Sequence, residues 1–153
     1  MARVEYYNDP NAPKANSLVP AVTASIRDSD DRILLVQPAH DGPWALPGGV
    51  MVAGEAIADA AIRTVAEETG IQVEITGLVG IYTSPHHVTA DEDGTVRQEL
   101  SVCFHARPGS GQLSEAATAR WLDVAELDGL PIHPSSRTRI NDALGDRARP
   151  RIA

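Results

Sequence analysis

The sequence of 153 residues is poor in cysteine, in aromatic residues and in long apolar runs. Its single cysteine, Cys103, excludes an intramolecular disulfide and a cysteine-rich zinc cluster, so any metal site would use oxygen or imidazole ligands. No apolar run approaches the roughly 18 to 20 residues of a membrane helix, and the first residues carry charges where a secretory signal would be apolar. We therefore expect a cytoplasmic protein with Cys103 buried as a small hydrophobic residue.

Positive charge is also scarce, because 13 Lys plus Arg stand against 21 Asp plus Glu and the formal net charge is −8. Such a surface repels polyphosphate backbones, which argues against general nucleic-acid binding. The arginines gather after His133, at positions 137, 139, 147, 149 and 151. Two interpretations of this end stay open: a phosphate-binding segment, or a solvated last helix with a ragged Arg-rich end.

The length fits one domain, and turn-forming residues divide the chain into a lead-in at 1–17, a domain at 18–146 and an Arg-rich tail at 147–153. Apolar runs predict strands at 18–26, 33–36, 73–82, 96–106 and 120–122, of which the first two form a hairpin. Helical periodicity predicts helices at 55–69, closed by Gly70, and at 135–144, with a helical turn at 123–127. Strands mixed with two helices indicate an α/β or α+β layered domain.

The first predicted helix carries charged residues, most of them acidic, at a regular spacing. Glu55, Asp59, Arg63 and Glu67 follow one another at intervals of four, and Glu68 is adjacent to the last of them. Hard oxygen ligands of this kind suit Mg²⁺ or Mn²⁺, which substrate phosphates then complete. Opposite charges at i and i+4 also form an ordinary surface ladder, worth a few tenths of a kcal/mol per pair. The helix charges alone leave both interpretations open.

The spacing around this helix resembles the signature of the Nudix hydrolases, G-x5-E-x7-R-E-U-x-E-E-x-G-U, where U is aliphatic. Eight of its nine fixed positions match over 23 residues, namely Gly49, Glu55, Arg63, Val65, Glu67, Glu68, Gly70 and Ile71. The stretches Trp44–Gly48, Arg120–Leu122 and Ile132–Pro134 are also similar to bacterial MutT-like members of this family. The two tryptophans of these stretches are expected to pack in the core and at its edge rather than against a base.

The resemblance implies an α/β/α sandwich with a mixed sheet and a loop-helix-loop motif. It also implies hydrolysis of a nucleoside diphosphate linked to another moiety, with Mg²⁺ or Mn²⁺ as cofactor. Glu67 and Glu68 would be metal ligands, and a carbonyl of Gly48 or Gly49 a further one. Arg63 would be one of the catalytic residues. It would also pair with Glu55 and so hold the loop against the helix.

The family pattern has a glutamate after Arg63, and this sequence has Thr64. Threonine is no base near neutral pH and is a weaker metal ligand than a carboxylate. The missing carboxylate is sought outside the motif, with Glu99 as the first candidate for the catalytic base and Glu115 as the second. His86 and His87, in a proline-containing loop, are candidates for substrate binding.

Two hypotheses follow from this departure. The first is a metal-dependent pyrophosphohydrolase acting on a nucleotide or nucleotide-sugar, and the second is a catalytically weakened Nudix-fold domain that binds a nucleotide or a partner. Both imply a small-molecule nucleotide as ligand and no membrane, and both leave a homodimer open. The loops that would contact the base and the leaving moiety carry no readable code, so the sequence names no particular substrate.

Overall fold

The computed structural model describes residues 3–115, 117–145 and 149–153 of the chain. Asp146 and Arg147, at the predicted border between domain and tail, lie outside these ranges. In order along the chain the described elements are β1 Val4–Tyr6, β2 Ser17–Ile26, β3 Ile33–Val36, β4 Gly48–Val50, α1 Ile57–Thr69, β5 Ile71–Tyr82, β6 Val88–Ala90, β7 Val96–Gly111, β8 Ala119–Leu122, a 3₁₀ helix Val124–Gly129, α2 Pro134–Leu144 and β9 Arg151–Ile152.

The long strand β7 is the centre of a mixed main sheet. One edge of β7 pairs in parallel with β2, which in turn pairs with β4, while its other edge pairs first with β6 and then with β5. Strands β3 and β8 form a separate antiparallel pair. This mixture of parallel and antiparallel strands with helices confirms the α/β class that the resemblance implied.

The two helices pack on different core clusters. Val65 of α1 joins one cluster and Ile140 of α2 another. Neighbouring residues of β3 divide between them, since Leu35 belongs to the α2 cluster and Leu34 to the α1 cluster. Because successive strand residues point to opposite faces, the two clusters lie on opposite sides of the strands. The layers are therefore those of an α/β/α sandwich.

The buried positions agree with the sequence. Cys103 is fully buried, and Trp44 is also buried, both in the α2 cluster. Trp121 lies half-buried against the α1 cluster. The expected roles of these residues in packing are confirmed.

The predicted hairpin between β2 and β3 is only partly present. The tight turn exists, with Asp28 Oδ1 accepting the N–H of Arg32 at 2.8 Å, but the pairing stops after one bridge between Arg27 and Ile33. All four residues of β3 are buried, so this strand needs cover on both faces and continues between the layers to pair with β8. Strand β2 stays in the main sheet, so the predicted hairpin is confirmed only for its turn and this one bridge.

The helix boundaries follow from local chemistry. Helix α1 begins at Ile57, two residues after its predicted start, because the Glu55 carboxylate is held in the preceding loop by the N–H of Val52. It ends as predicted at Gly70, whose φ of 83° is favourable only for glycine. Helix α2 begins at Pro134, a first helical position that proline favours, one residue before the predicted start.

Both ends of the chain join the main sheet. Strand β1 pairs with β6, and β9 pairs with β5. These strands have three and two residues, with most side chains exposed, so they show no hydrophobic alternation that a sequence pattern could detect. The lead-in and the end of the Arg-rich tail are thus parts of the sheet rather than loose extensions.

Candidate active site

The turn into α1 depends on two glycines of β4. A Cβ on Gly48 would lie 2.0 Å from the carbonyl oxygen of Val22, so the close pairing of β4 with β2 tolerates no side chain there. A Cβ on Gly49 would lie 2.9 Å from Cγ2 of Thr64 on α1. The two glycines therefore let strand and helix approach each other at the predicted site.

The backbone of Gly48 faces away from β2. The N–H of Ala24 donates to Pro47 O at 3.0 Å, and the N–H of Met51 donates to Pro20 O at 3.1 Å, so odd-numbered residues of this segment bond to β2. In antiparallel pairs both backbone groups of the intervening residues point to the other side. The N–H of Gly48 accordingly donates to Glu68 Oε1 at 2.7 Å. The N–H of Gly48 thus binds the helix, and a metal-binding carbonyl of Gly48 or Gly49 stays a prediction.

Arg63 holds the loop against α1. Its Nε and Nη2 donate to the two carboxylate oxygens of Glu55 at 2.9 and 2.7 Å, and Nη2 also donates to Val50 O at 3.0 Å. The hydrogen bond from Arg63, helped by the N–H of Val52, lowers the pKa of Glu55 from 4.5 to about 2. Arg63 is not part of the cleft described below, so its position favours support of the loop over contact with substrate.

The adjacent glutamates of α1 have different environments. Glu67 is exposed and accepts from Arg63 Nη1 at 3.1 Å. Glu68 is half-buried and forms no ion pair within the described ranges. Burial raises the pKa of Glu68, the Gly48 N–H lowers it and the neighbouring charge of Glu67 raises it further. A desolvated carboxylate without a positive partner is a place where a cation binds favourably.

Thr64 occupies the position of the missing motif glutamate and is buried. Its hydroxyl donates to Ala61 O at 3.2 Å within the helix, and its methyl group faces Gly49. The side chain at position 64 therefore points toward β4, on the same side of the helix as Glu68 one turn later. A side chain at position 64 is thus directed as a metal ligand of the predicted site would be, but threonine presents only a methyl group there.

A cleft of about 260 Å³ opens in front of Glu68. Gly48 and Glu68 lie on one side, named here the acidic wall, and Glu99 of β7 also lines the cleft. Glu115 does not: it follows Ser114, whose N–H donates to Thr69 O at the C-terminus of α1. Of the two candidates for the base, only Glu99 lines the cleft.

Glu5, His87 and His133 also line the cleft and are named here the histidine wall. Nε2 of His87 lies 3.1 Å from Glu5 Oε2, and Nε2 of His133 lies 2.6 Å from Glu5 Oε1. Nδ1 of His133 accepts the N–H of Ser135 at 3.2 Å, so this nitrogen is unprotonated and the proton is on Nε2. The hydrogen bonds from His133 and His87 hold the pKa of Glu5 well below its usual range.

Sequence reasoning found one of these three residues. His87 was a candidate, and its predicted neighbour His86 is exposed and does not line the cleft. Glu5 and His133 were missed because Glu5 is 82 residues from His87 and 128 residues from His133 in the sequence. No spacing rule covers such separations. The pairing of β1 with β6 brings Glu5 close to His87, and His133 comes from the start of α2.

The donor groups of the acidic wall suit a hard divalent cation. Within the described ranges no group of three or more His, Cys, Asp or Glu side chains is arranged to hold a metal ion. Mg²⁺ usually binds through one or two protein carboxylates, several waters and substrate phosphates. Glu68, desolvated and without an ion pair in the described part of the chain, fits this pattern, whereas the neighbouring Glu67 is exposed, bound to Arg63 and not part of the cleft lining. None of the helices in the described ranges is long and apolar enough to span a membrane.

The chain is similar to known proteins. The model of the NUDIX domain family matches residues 17–142. The uncharacterized Nudix hydrolase YvcI of Bacillus subtilis is 35% identical over 74% of this chain and 72% of its own length. The ADP-ribose pyrophosphatase of Methanocaldococcus jannaschii is 33% identical over 74% of this chain and 66% of its own length.

Solved structures agree with these relatives. The crystal structure of a MutT protein from Bacillus halodurans superposes with a TM-score of 0.69 at 29% identity, over 84% of each chain. A Nudix hydrolase from Nitrosomonas europaea gives 0.65 at 25% identity, over 86% of this chain and 91% of its own. Sequence, fold and site geometry therefore lead to the same conclusion: the chain belongs to the Nudix hydrolase family.

Proposed function

We propose that the protein hydrolyses the pyrophosphate bond of a nucleoside diphosphate linked to another moiety, with Mg²⁺ or Mn²⁺ as cofactor. The observation that carries this proposal is Glu68, desolvated, unpaired and hydrogen-bonded to Gly48 at the edge of an open cleft. A carboxylate in this state gains most from a cation, and a pyrophosphate needs that cation for charge neutralisation.

The chain's residues divide the work as follows. Glu67, Glu68 and the carbonyl of Gly48 would hold the cation, which when bound screens phosphate charge and lowers the pKa of a bound water. The Glu55–Arg63 pair fixes the loop that presents Gly48. Glu99, exposed in the cleft, would act as the general base that the motif lacks at position 64.

The relatives support a nucleotide-sugar substrate. The archaeal relative at 33% identity is named an ADP-ribose pyrophosphatase, and a Bacillus subtilis relative at 28% is named a putative 8-oxo-dGTP diphosphatase. The higher identity favours ADP-ribose and similar nucleoside diphosphate sugars over nucleoside triphosphates. A cytoplasmic location and a homodimer stay predictions from the sequence.

Thr64 favours a second candidate function. With a methyl group where the motif has a carboxylate, the domain would bind its nucleotide and turn it over slowly. Both candidates share the ligand and the acidic wall, and they differ in rate alone.

A substrate screen separates the two. ADP-ribose, other nucleoside diphosphate sugars and nucleoside triphosphates are incubated with the protein with and without Mg²⁺, and the released monophosphate is measured. We expect Mg²⁺-dependent release from a nucleoside diphosphate sugar, lost in Glu68→Gln and retained in the surface control Glu74→Gln. Nucleotide binding without Mg²⁺-dependent release would select the binding domain. Release that persists without divalent metal would contradict the proposed mechanism.

A further inference from the structure

Glu5 is the carboxylate of the histidine wall, and the strand register places it on the cleft side of the sheet. Its Cα partner in β6 is Thr89, and the Cα partner of Thr89 in β7 is Arg97. Directly paired residues of neighbouring strands share one face of a sheet, and all three of these residues line the cleft. The side chain of Glu5 is 45% exposed, so a ligand in the cleft can reach its carboxylate.

Two imidazoles hold this carboxylate in one orientation. The pKa of Glu5 lies well below its usual range because both histidines bind it, so the carboxylate is ionised and can only accept hydrogen bonds. Nε2 of His87 therefore donates to Oε2 at 3.1 Å, and Nε2 of His133 donates to Oε1 at 2.6 Å. A carboxylate oxygen can accept two hydrogen bonds, so each oxygen of Glu5 keeps one further acceptor position.

The histidine wall thus offers acceptors to the cleft rather than donors. The Nε2 protons of both histidines are used by Glu5, and Nδ1 of His133 accepts the N–H of Ser135 at 3.2 Å. Arg97 forms an ion pair with Asp91 at 3.3 Å. A phosphate group beside Glu5 would be repelled by its charge, whereas a hydroxyl group can donate to it. This part of the cleft therefore suits a neutral group that carries hydroxyls.

Two acceptor positions on one fixed carboxylate match two hydroxyls on adjacent carbon atoms. Ribose presents such a pair at its 2- and 3-positions, and 2-deoxyribose lacks one member of it. An acidic side chain is also the acceptor that dinucleotide-binding folds use for a ribose hydroxyl. A site that binds a hydroxyl in this way discriminates against the analogue that lacks it.

We propose that Glu5 binds the vicinal hydroxyls of a ribose of the substrate. The substrate class is then a nucleoside diphosphate compound with ribose, rather than 2-deoxyribose, beside the histidine wall. Two riboses of such a compound can supply this diol, that of the nucleoside and that of a linked sugar. The choice of substrate rests on the proposed function, whereas binding of the diol at Glu5 does not depend on turnover.

The first experiment observes the two donors to Glu5 in the wild-type protein. A long-range ¹H–¹⁵N spectrum of the histidine rings is recorded during titration with ADP-ribose, in EDTA, so that metal-dependent turnover is prevented. The Nε2 resonances of His87 and His133, assigned by their loss in His87→Gln and His133→Gln, should move in a saturable way, because hydrogen bonds to one acceptor group influence one another. If neither resonance moves at the highest ADP-ribose concentration, the proposal is wrong.

The second experiment identifies which ribose is bound. The same titration is repeated with two analogues of ADP-ribose, one without the 2-hydroxyl of the adenosine ribose and one without the 2-hydroxyl of the linked ribose. The dissociation constant should rise about two- to fivefold for one analogue and not for the other, since the acceptor is partly exposed. Equal dissociation constants for all three compounds would overturn the proposal.

The third experiment assigns this preference to Glu5. Glu5→Gln replaces one acceptor oxygen by an amide donor, so the preference for ADP-ribose over the sensitive analogue should disappear. Glu74→Gln, at an exposed carboxylate paired with Arg107, should keep the preference. A variant that only disturbed the wall would weaken both compounds alike, so an unchanged preference in Glu5→Gln would overturn the assignment.

The outcomes for the ribose site and for the proposed function are separate. If the preference depends on Glu5 while no nucleotide releases a monophosphate with Mg²⁺, the proposed function fails and the ribose site stands. If Mg²⁺-dependent release is observed while all three compounds bind equally, the ribose site fails and the proposed function stands.

Discussion

The acidic wall and the histidine wall line the same cleft, but they are built in different ways. The acidic wall consists of Gly48 on β4 and Glu68 on α1, and the Glu55–Arg63 pair holds the loop between these two elements against the helix. The histidine wall joins Glu5, His87 and His133, which the pairing of β1 with β6 and the start of α2 bring together. The comparison shows that the residues proposed to hold the cation are close together in the sequence, while those of the histidine wall are brought together by the fold.

The largest effect should come from removing Glu99, the carboxylate that β7 adds to the cleft. Glu99→Gln should lower kcat about 10²-fold or more, because the general base would be lost. Glu115→Gln, in the turn that follows β7 and outside the cleft, should leave kcat unchanged. Steady-state kinetics with Mg²⁺ and a nucleoside diphosphate sugar measures both, and loss of activity in Glu115→Gln alone would exchange their roles.

A second substitution tests the absence of the motif glutamate at position 64. Thr64→Glu places a carboxylate in a buried position beside Gly49, so without metal the variant should be less stable by roughly 1–3 kcal/mol. Excess Mg²⁺ should restore much of this loss and raise turnover more than tenfold if the wild type is a weakened enzyme. Thermal unfolding with and without Mg²⁺, alongside kinetics, gives both readings. A destabilisation that Mg²⁺ does not relieve would place position 64 outside the cation site.

The third prediction concerns the Glu55–Arg63 pair, which holds the loop before α1. Arg63→Ala should lower the thermal midpoint, since it leaves Glu55 without its strongest partner, whereas Arg107→Ala at a more exposed ion pair should have little effect. The folded pKa of Glu55 is about 2 against an ordinary 4.5, so the contribution of the pair is present above pH 4.5 and lost as the pH falls toward 2. Midpoints measured across this range should converge, and an Arg63→Ala midpoint equal to wild type at pH 7 would exclude the pairing.

The smallest effect should come from the histidine wall. Glu5→Gln keeps one hydrogen-bond acceptor but removes the charge shared by His87 and His133. This exposed group should contribute modestly, so we expect KM to rise about two- to fivefold with kcat unchanged. Glu74→Gln serves as the surface control. A larger fall in kcat than rise in KM would move this wall from substrate positioning to the chemical step.

The extent of what the sequence could predict follows the same division. The α1 motif was predictable because i, i+3 and i+4 positions share one side of a helix, and Gly70 marks its end by a conformation that glycine favours. The pairing partner of β3 was not, since burial on both faces gives no preference between a hairpin and a separate sheet. Arg139 was noted only as one of several C-terminal arginines, and its burial appears when α2 packs on Tyr82.

Cation binding at Glu68 is the central claim, and a Mn²⁺ titration followed by electron paramagnetic resonance tests it most directly. Free Mn²⁺ is measured with wild type, Glu68→Gln and the surface control Glu74→Gln, at pH 7.5 and again at pH 5.5. We predict a site in wild type and in Glu74→Gln that Glu68→Gln weakens by about 10-fold or more. Because the pKa of Glu68 is raised, protons should compete with the ion and affinity should fall at the lower pH. Equal Mn²⁺ affinity in wild type and Glu68→Gln at both pH values would contradict the account.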